Sequence, residues 1–389
     1  MRVILHEIRH IFRPGTLILL LAFNLLFYWM YLGFYFQHFP NGRPSMDTYD
    51  IQLKMVERFG SRMDAEEFQV FKAEYEQRKL VADERIAGDP EFAKYGFHNY
   101  EQYQTRAGEN PFSELDEHID FSLSSDPNTL GSLFWELQSR EWMIEAYEGG
   151  GEAELIQWRA LESSPAVLET VQRRIDDGSM TSIQSDTAVR YYLDVLQYSS
   201  LLALVSVLLI TVPLFLRDRH NGLIQLQYAS ATGRRLFGKK IAAALCSAFL
   251  VLSVQLAVLA VLFSQKNIDV FYHIKLHSYL NFWPVSWFDL TFIQYIMLTI
   301  AAVYIVCLLA VLVTALLSSV VPNYMAIIGS LAMLVVVFVY WGRQPLITDL
   351  TTINYDRLTQ PLLYGGLMLV ISGTLIFRWR REKASDIVG

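Results

Sequence analysis

Six stretches of this chain, 16–36, 195–216, 241–264, 291–317, 321–341 and 361–377, contain no Asp, Glu, Lys, Arg or His. Nothing else in the sequence limits the fold as much. A helix needs about 20 apolar residues to cross the hydrocarbon core of a bilayer, and each run reaches or nearly reaches that length. One charge at mid-membrane costs about 2.5–3.5 kcal/mol on insertion scales, so its absence from all six runs predicts six transmembrane helices. The first run is too long for a cleaved signal peptide, and no small-residue cleavage site follows Phe34-Tyr35-Phe36.

The charges are segregated between these runs. Residues 37–194 hold 31 of the 39 acids and 15 of the 32 bases, a net of −16, which leaves +9 for the rest. This predicts an acidic soluble domain joined to a membrane domain flanked by bases. Overall charge gives no reason to expect nucleic acid as a partner. Both cysteines, Cys246 and Cys307, fall inside apolar runs, which excludes a disulfide-dense secreted module.

Orientation is read from Lys and Arg, which resist translocation. Arg2, Arg9 and Arg13 precede the first run, and Arg378, Arg380, Arg381 and Lys383 follow the last. The connector 217–240 carries six bases and one acid, whereas 265–290 and 342–360 carry two bases and two acids each. The expectation is a multi-pass protein of the plasma membrane with both termini cytoplasmic and 37–194 outside. Residues 342–360 are expected outside as well, and the sequence leaves open whether they dip back into the membrane. Aromatics at the outer end of the first run and at Tyr279, Phe282, Trp283, Trp287 and Phe288 read as interfacial belts.

The expected fold is all-α and polytopic. Residues 1–15 form an amphipathic interfacial helix, with Val3, Ile4, Ile8, Ile11 and Phe12 on one face and Arg2, Glu7, Arg9 and Arg13 mostly opposite. Residues 16–36 are the first transmembrane helix. Residues 37–194 form a mostly helical extracytoplasmic domain inserted between spans one and two, with helices over 48–59, 64–87, 90–106, 129–148, 152–162 and 165–177. Residues 195–377 supply five further spans, and 378–389 are a cytoplasmic tail. Membrane lipid is the expected surrounding. Between spans four and five, 318–320 is expected as a tight turn.

Two motifs invite catalytic readings. His6-Glu7-Ile8-Arg9-His10 has zinc-protease spacing. A third ligand and a water-filled site are also needed, and the histidines elsewhere are scattered. Interfacial histidines are the preferred reading, with an intramembrane metalloprotease as a distant alternative. Gly233 to Lys239 follows nucleotide-loop spacing, but Lys240 stands where Ser or Thr should hold magnesium, and no strand precedes it. No catalytic residue, metal ligand or ATPase site is therefore assigned to this chain.

Ion-driven transporters keep ionisable groups inside their spans. Here the polar residues within the runs are sparse: Asn24, Gln255, Gln294 and Asn323. If the protein moves cargo, energy enters from a partner, and 217–240 is the expected lever: a short helix bounded by Asn221-Gly222 and Gly233. At these residues the chain resembles the permease subunits of ABC-2-type ATP-binding-cassette exporters. That family opens with an interfacial helix similar to Glu7-Ile8-Arg9-His10-Ile11-Phe12-Arg13. Between spans two and three it has an acid, a glycine four residues on, a Leu-rich helix, a small-Pro corner, a basic residue and a Gly-Lys. The matching positions are Asp218, Gly222, Leu226, Ser230, Arg234, Gly238 and Lys239. Ala231 stands where proline is usual, and the interval from Arg234 to Lys239 is about two residues short of the family pattern. The resemblance covers 1–36 and 195–389.

The resemblance implies a half-transporter without its own cofactor. Two six-span subunits pair, as homo- or heterodimer, each resting on a separate ATPase subunit that holds ATP and Mg. Asp218, Gly222, Gln225, Leu226, Tyr228, Ser230, Arg234 and Lys239 would couple to that subunit, and an amphipathic or apolar cargo (peptide, lipid or drug-like) would leave outward. The alternative from another class is a membrane sensor or assembly factor whose external domain binds a ligand without transport.

Overall fold

The computed structural model describes residues 2–107, 113–121, 126, 128–148, 164–177, 184–220, 235–279, 285–321 and 323–384. Among them the chain is all-helical, with only two isolated bridges, Lys275–Thr291 and Ser286–Thr352. Six helices are long and apolar enough to cross a membrane: Pro14–His38, Thr187–Leu214, Leu236–Ser264, Phe292–Val320, Met325–Gly342 and Thr359–Arg380. We number the helices α1 (Arg2–Ile11), α2 (Pro14–His38), α3 (Ser45–Phe59), α4 (Ala65–Ala87), α5 (Pro90–Lys94), α6 (Tyr100–Ala107), α7 (Ser113–Ile119), α8 (Leu130–Glu148), α9 (Pro165–Asp176), α10 (Thr187–His220), α11 (Arg235–Ser264), α12 (Phe292–Val320), α13 (Tyr324–Val337) and α14 (Thr359–Ala384).

Several helix starts have a local cause. Pro14 opens α2 at a position where a missing N–H costs nothing. Asp64 with Glu67, and Thr291 with Gln294, form reciprocal capping boxes on α4 and α12. Asn323 accepts from Met325 N at 2.9 Å and caps α13. The expected turn residues 318–320 therefore remain in α12, and α13 starts at Tyr324.

The spans are unequal. In α10 67% of the most apolar stretch is buried, and in α12 50%, against 17%, 22%, 17% and 11% for α2, α11, α13 and α14. So α10 and α12 form the centre of the bundle, and the other four present residues such as Ile18, Val254 and Leu369 to the surroundings. An apolar exterior this extensive suits a bilayer, where backbone groups must be satisfied internally, as they are within each helix. Polar stitches cross the centre: Tyr192 OH lies 2.5 Å from Thr299 Oγ1, and Ser253 Oγ lies 2.8 Å from Tyr304 OH.

The apolar runs are charge-free, but the helices containing them are not. α10 starts at Thr187, eight residues before the expected 195, and so includes Arg190 and Asp194. The helix continues because its first turns pack: Ala188, Val189, Tyr191 and Tyr192 are buried in the bundle core. Residues 342–360 also differ from a plain loop. The helical path of α13 continues as π turns over Phe338–Gly342 and Gln344–Thr348. Tyr295 OH donates to Thr348 O at 2.5 Å and Tyr364 OH to Leu346 O, holding this extension against α12 and α14. Tyr279, expected in an interfacial belt, is 5% exposed and belongs to the core, whereas Trp29 is 78% exposed and fits a belt.

Between α2 and α10 a second apolar core joins α3 to α8, built on Phe71, Phe92, Phe97, Leu133, Leu137 and Met143. The expected helix 90–106 is two helices, α5 and α6. Gly96, at φ +74°, and Phe97 N, which bonds to Phe92 O at 3.1 Å, close α5. The expected helix 152–162 lies outside the described residues. α9 docks separately, placing Val167 and Val171 against Val285 and Ile353 of the two connectors.

Candidate functional site

The amphipathic helix α1 does not merely lie beside the bundle. It packs on α11 and α10, with Ile11 buried and Phe12 set against the same core. Arg9 and Arg13 are exposed, as expected for the polar face. Glu7 is not: it is half-buried and is the acidic charge that acts on Lys240, itself 5% exposed. The reason is spacing, since Glu7 lies four residues before the buried Ile11 and shares its face. His6 and His10 have ring centroids 6.1 Å apart, and the Arg13 guanidinium lies against His10 Nδ1. A cation on that nitrogen opposes a metal there, and no cluster of three or more His, Cys, Asp or Glu suited to a metal occurs among the described residues.

α1 therefore occupies the end of the bundle where α10 stops and α11 starts, the end that the connector 217–240 serves. Asp218 lies in the last turns of α10, and Lys239 is half-buried in the first turns of α11. Gly222, Gln225, Leu226, Tyr228, Ser230 and Arg234 lie outside the described residues.

The sparse polar residues of the spans fall into two uses. Gln294 and Asn323 cap helices. Asn24 and Gln255 meet Ser206 in a node joining α2, α10 and α11: Gln255 Nε2 donates to Asn24 Oδ1 and to Ser206 Oγ, both at 2.7 Å, and Asn24 Nδ2 lies 3.2 Å from Ser206 Oγ. The node carries no charge, and its hydrogen bonds join three helices.

At the opposite end, where α2 leaves the bundle and α10 enters it, the structure assembles a cleft of about 520 Å³. Sequence reading did not find it. Its walls come from Phe34–Thr48, Trp142 and Ser185–Asp194, segments far apart in the chain. Stacked rings form its floor: Phe39 lies on Tyr191 at 3.9 Å, Tyr191 on Phe263 at 5.4 Å, and Tyr35 beside Tyr198 at 5.6 Å. Tyr49 OH donates to Lys266 O at 2.7 Å and ties α3 to the connector after α11. Asp186 pairs with Arg190, and Arg190 acts in turn on Asp194. Just above the cleft Arg43 bridges Asp47 at 2.9 Å and Ser132 at 3.1 Å; burial pushes the Asp47 carboxyl up to about 6 although Arg43 pulls the other way. The only sequence signal for this site was the aromatic crowding after Phe27.

On the same end, His277 is 5% exposed among Arg174, Asp177, Lys275 and Asp289. Burial, with Arg174 adding to it, lowers its pKa to about 4. Lys275 donates to Asp289 at 2.9 Å and holds that carboxyl below the usual range. No protein-family model, curated protein or solved structure matches the chain. It is an all-helical multi-pass protein with six candidate membrane-spanning helices.

Proposed function

We propose that this chain is the permease subunit of an ATP-driven ABC-2-type exporter that moves an amphipathic or apolar cargo outward. Energy comes from a separate ATP-binding-cassette subunit, which holds ATP and Mg, and a second permease subunit completes the complex. Residues 1–15, 217–240 and 378–389 face the cytoplasm in this reading, and α3–α9 lie outside the plasma membrane.

The observation that carries the reading is the distribution of polar groups along the spans. Ionisable residues sit near the helix ends, as Arg190, Asp194, Lys239, Lys240 and Arg378 do, while the middle holds the neutral Asn24–Ser206–Gln255 node. A bundle lacking an ion-coupling group in its interior has no internal energy source. α1, braced against α10 and α11, gives a push on 217–240 a stiff path into those two spans.

The test is co-expression with a candidate stand-alone ATPase, followed by co-purification. The permease should stimulate ATP hydrolysis, and Leu226→Asp should abolish the stimulation while leaving the permease folded. Unchanged coupling in Leu226→Asp, or no ATPase that co-purifies, counts against the assignment.

The cleft between α3 and the spans favours one other reading, a membrane sensor that binds a ligand without moving it. ATP-dependent uptake of a ligand into everted vesicles separates the two, since a sensor gives none.

A further inference from the structure

The cleft at the mouth of α2 and α10 has a definite chemical character. At about 520 Å³ it falls in the range of small-molecule sites, about 300–1,000 Å³. Phe34, 53% exposed, and Trp142, 36% exposed, stand at its surface, with Phe39 and Tyr191 behind them. Aromatic faces attract cations and pack against apolar bodies. The lining carries two carboxylates, Asp186 and Asp194, against one guanidinium, Arg190.

Those two acids are not equivalent. Asp186 is committed to its ion pair with Arg190. Asp194, two turns further along α10, accepts no hydrogen bond among the described residues and is half-buried. Arg190 also acts on Asp194, so one guanidinium serves two carboxylates and the lining keeps one net negative charge, with Asp194, beside Tyr35 at the edge of the apolar bundle, the less well compensated of the two. A carboxylate placed there is costly unless something positive joins it.

The geometry points to a binding site for a lipophilic monocation, a molecule with one positive charge on an aromatic or aliphatic body. The charge sits at Asp194 and the body lies against Phe34, Tyr35 and Trp142. An anion of the same shape meets two carboxylates and is repelled. A neutral apolar molecule covers Asp194 without compensating it. The site stands whether or not the chain couples to an ATPase, and its test uses none.

The experiment is equilibrium dialysis of the purified full-length chain in detergent against tetraphenylphosphonium and, separately, tetraphenylborate. The two probes share shape and size and differ in the sign of one charge. The phosphonium is expected to bind saturably, one per chain, and the borate to show no saturable binding. Asp194→Asn and Trp142→Ala are each expected to weaken phosphonium binding about tenfold. If Asp194→Asn fails to fold, as judged by its melting curve, Arg190→Gln raises the negative balance of the lining by one and is expected to tighten the phosphonium several-fold. Equal binding of both probes overturns the proposal. So does wild-type affinity in folded Asp194→Asn and Trp142→Ala, or unchanged affinity in Arg190→Gln.

Discussion

The node of Asn24, Ser206 and Gln255 makes a quantitative claim about how three spans are held together. Replacing Gln255 by Leu removes two interhelical hydrogen bonds, each 2.7 Å long. Such bonds inside a membrane are worth about 0.6 kcal/mol on average and up to about 1.7 kcal/mol, so the loss lies between about 1 and 3 kcal/mol. One term opposes it: Gln255 Oε1 is buried without a partner, and Leu removes that acceptor, which offsets about 1 kcal/mol. The single substitution is therefore expected to cost only about 1 kcal/mol, too little to diagnose the node by itself. A double-mutant cycle isolates the bond. Asn24→Leu also loses the bond from Gln255, so the two changes together should cost about 1 kcal/mol less than their sum. The assay is the unfolding equilibrium in mixed micelles with increasing dodecyl sulfate, followed by circular dichroism. Additivity of the two substitutions within about 0.3–0.5 kcal/mol would falsify the direct contact and with it the account of how α2 is fastened to α10 and α11.

Two further outcomes are expected. Gly131→Ala places a Cβ 2.2 Å from Asp120 O and 2.9 Å from Ile119 O, both backbone atoms that cannot swing aside, so the α3–α8 core should lose about 3 kcal/mol or more; a melting temperature equal to that of wild type would refute the close packing of α7 on α8. His277, lowered from 6.5 to about 4 by burial and then by Arg174, stays neutral when folded and takes up a proton when unfolded. Stability should thus be full above pH 6.5 and fall as pH drops from 6.5 to 4, by at most about 3 kcal/mol. His277→Gln should flatten that slope, and a pH profile identical to wild type would show that His277 does not set it.

Much of the architecture was legible in the residues because it rests on local rules. Charge-free runs of membrane length locate the spans, and α4 and α5 begin at Asp64 and Asp89, where a capping side chain precedes the helix. The boundaries that moved did so for tertiary reasons. α10 extends back to Thr187 because Tyr191 and Tyr192 find aromatic partners in Phe39, Phe263 and Phe292. The half-burial of Glu7 follows locally from its place four residues before Ile11, but the cation it faces, Lys240, is brought to it by α11. Neither partner is near in sequence, so no window of periodicity contains the information.

The sequence by itself determined that this chain is an all-helical multi-pass protein, since bilayer thickness and the cost of burying charge act on each segment separately. Only the tertiary structure decided which polar residues meet and where a ligand could sit. The cleft draws its walls from around positions 34–48, 142 and 185–194, and its net negative charge comes from two carboxylates, Asp186 and Asp194, sharing the one guanidinium of Arg190. Contacts between segments so far apart arise from packing, which the order of residues along the chain does not display.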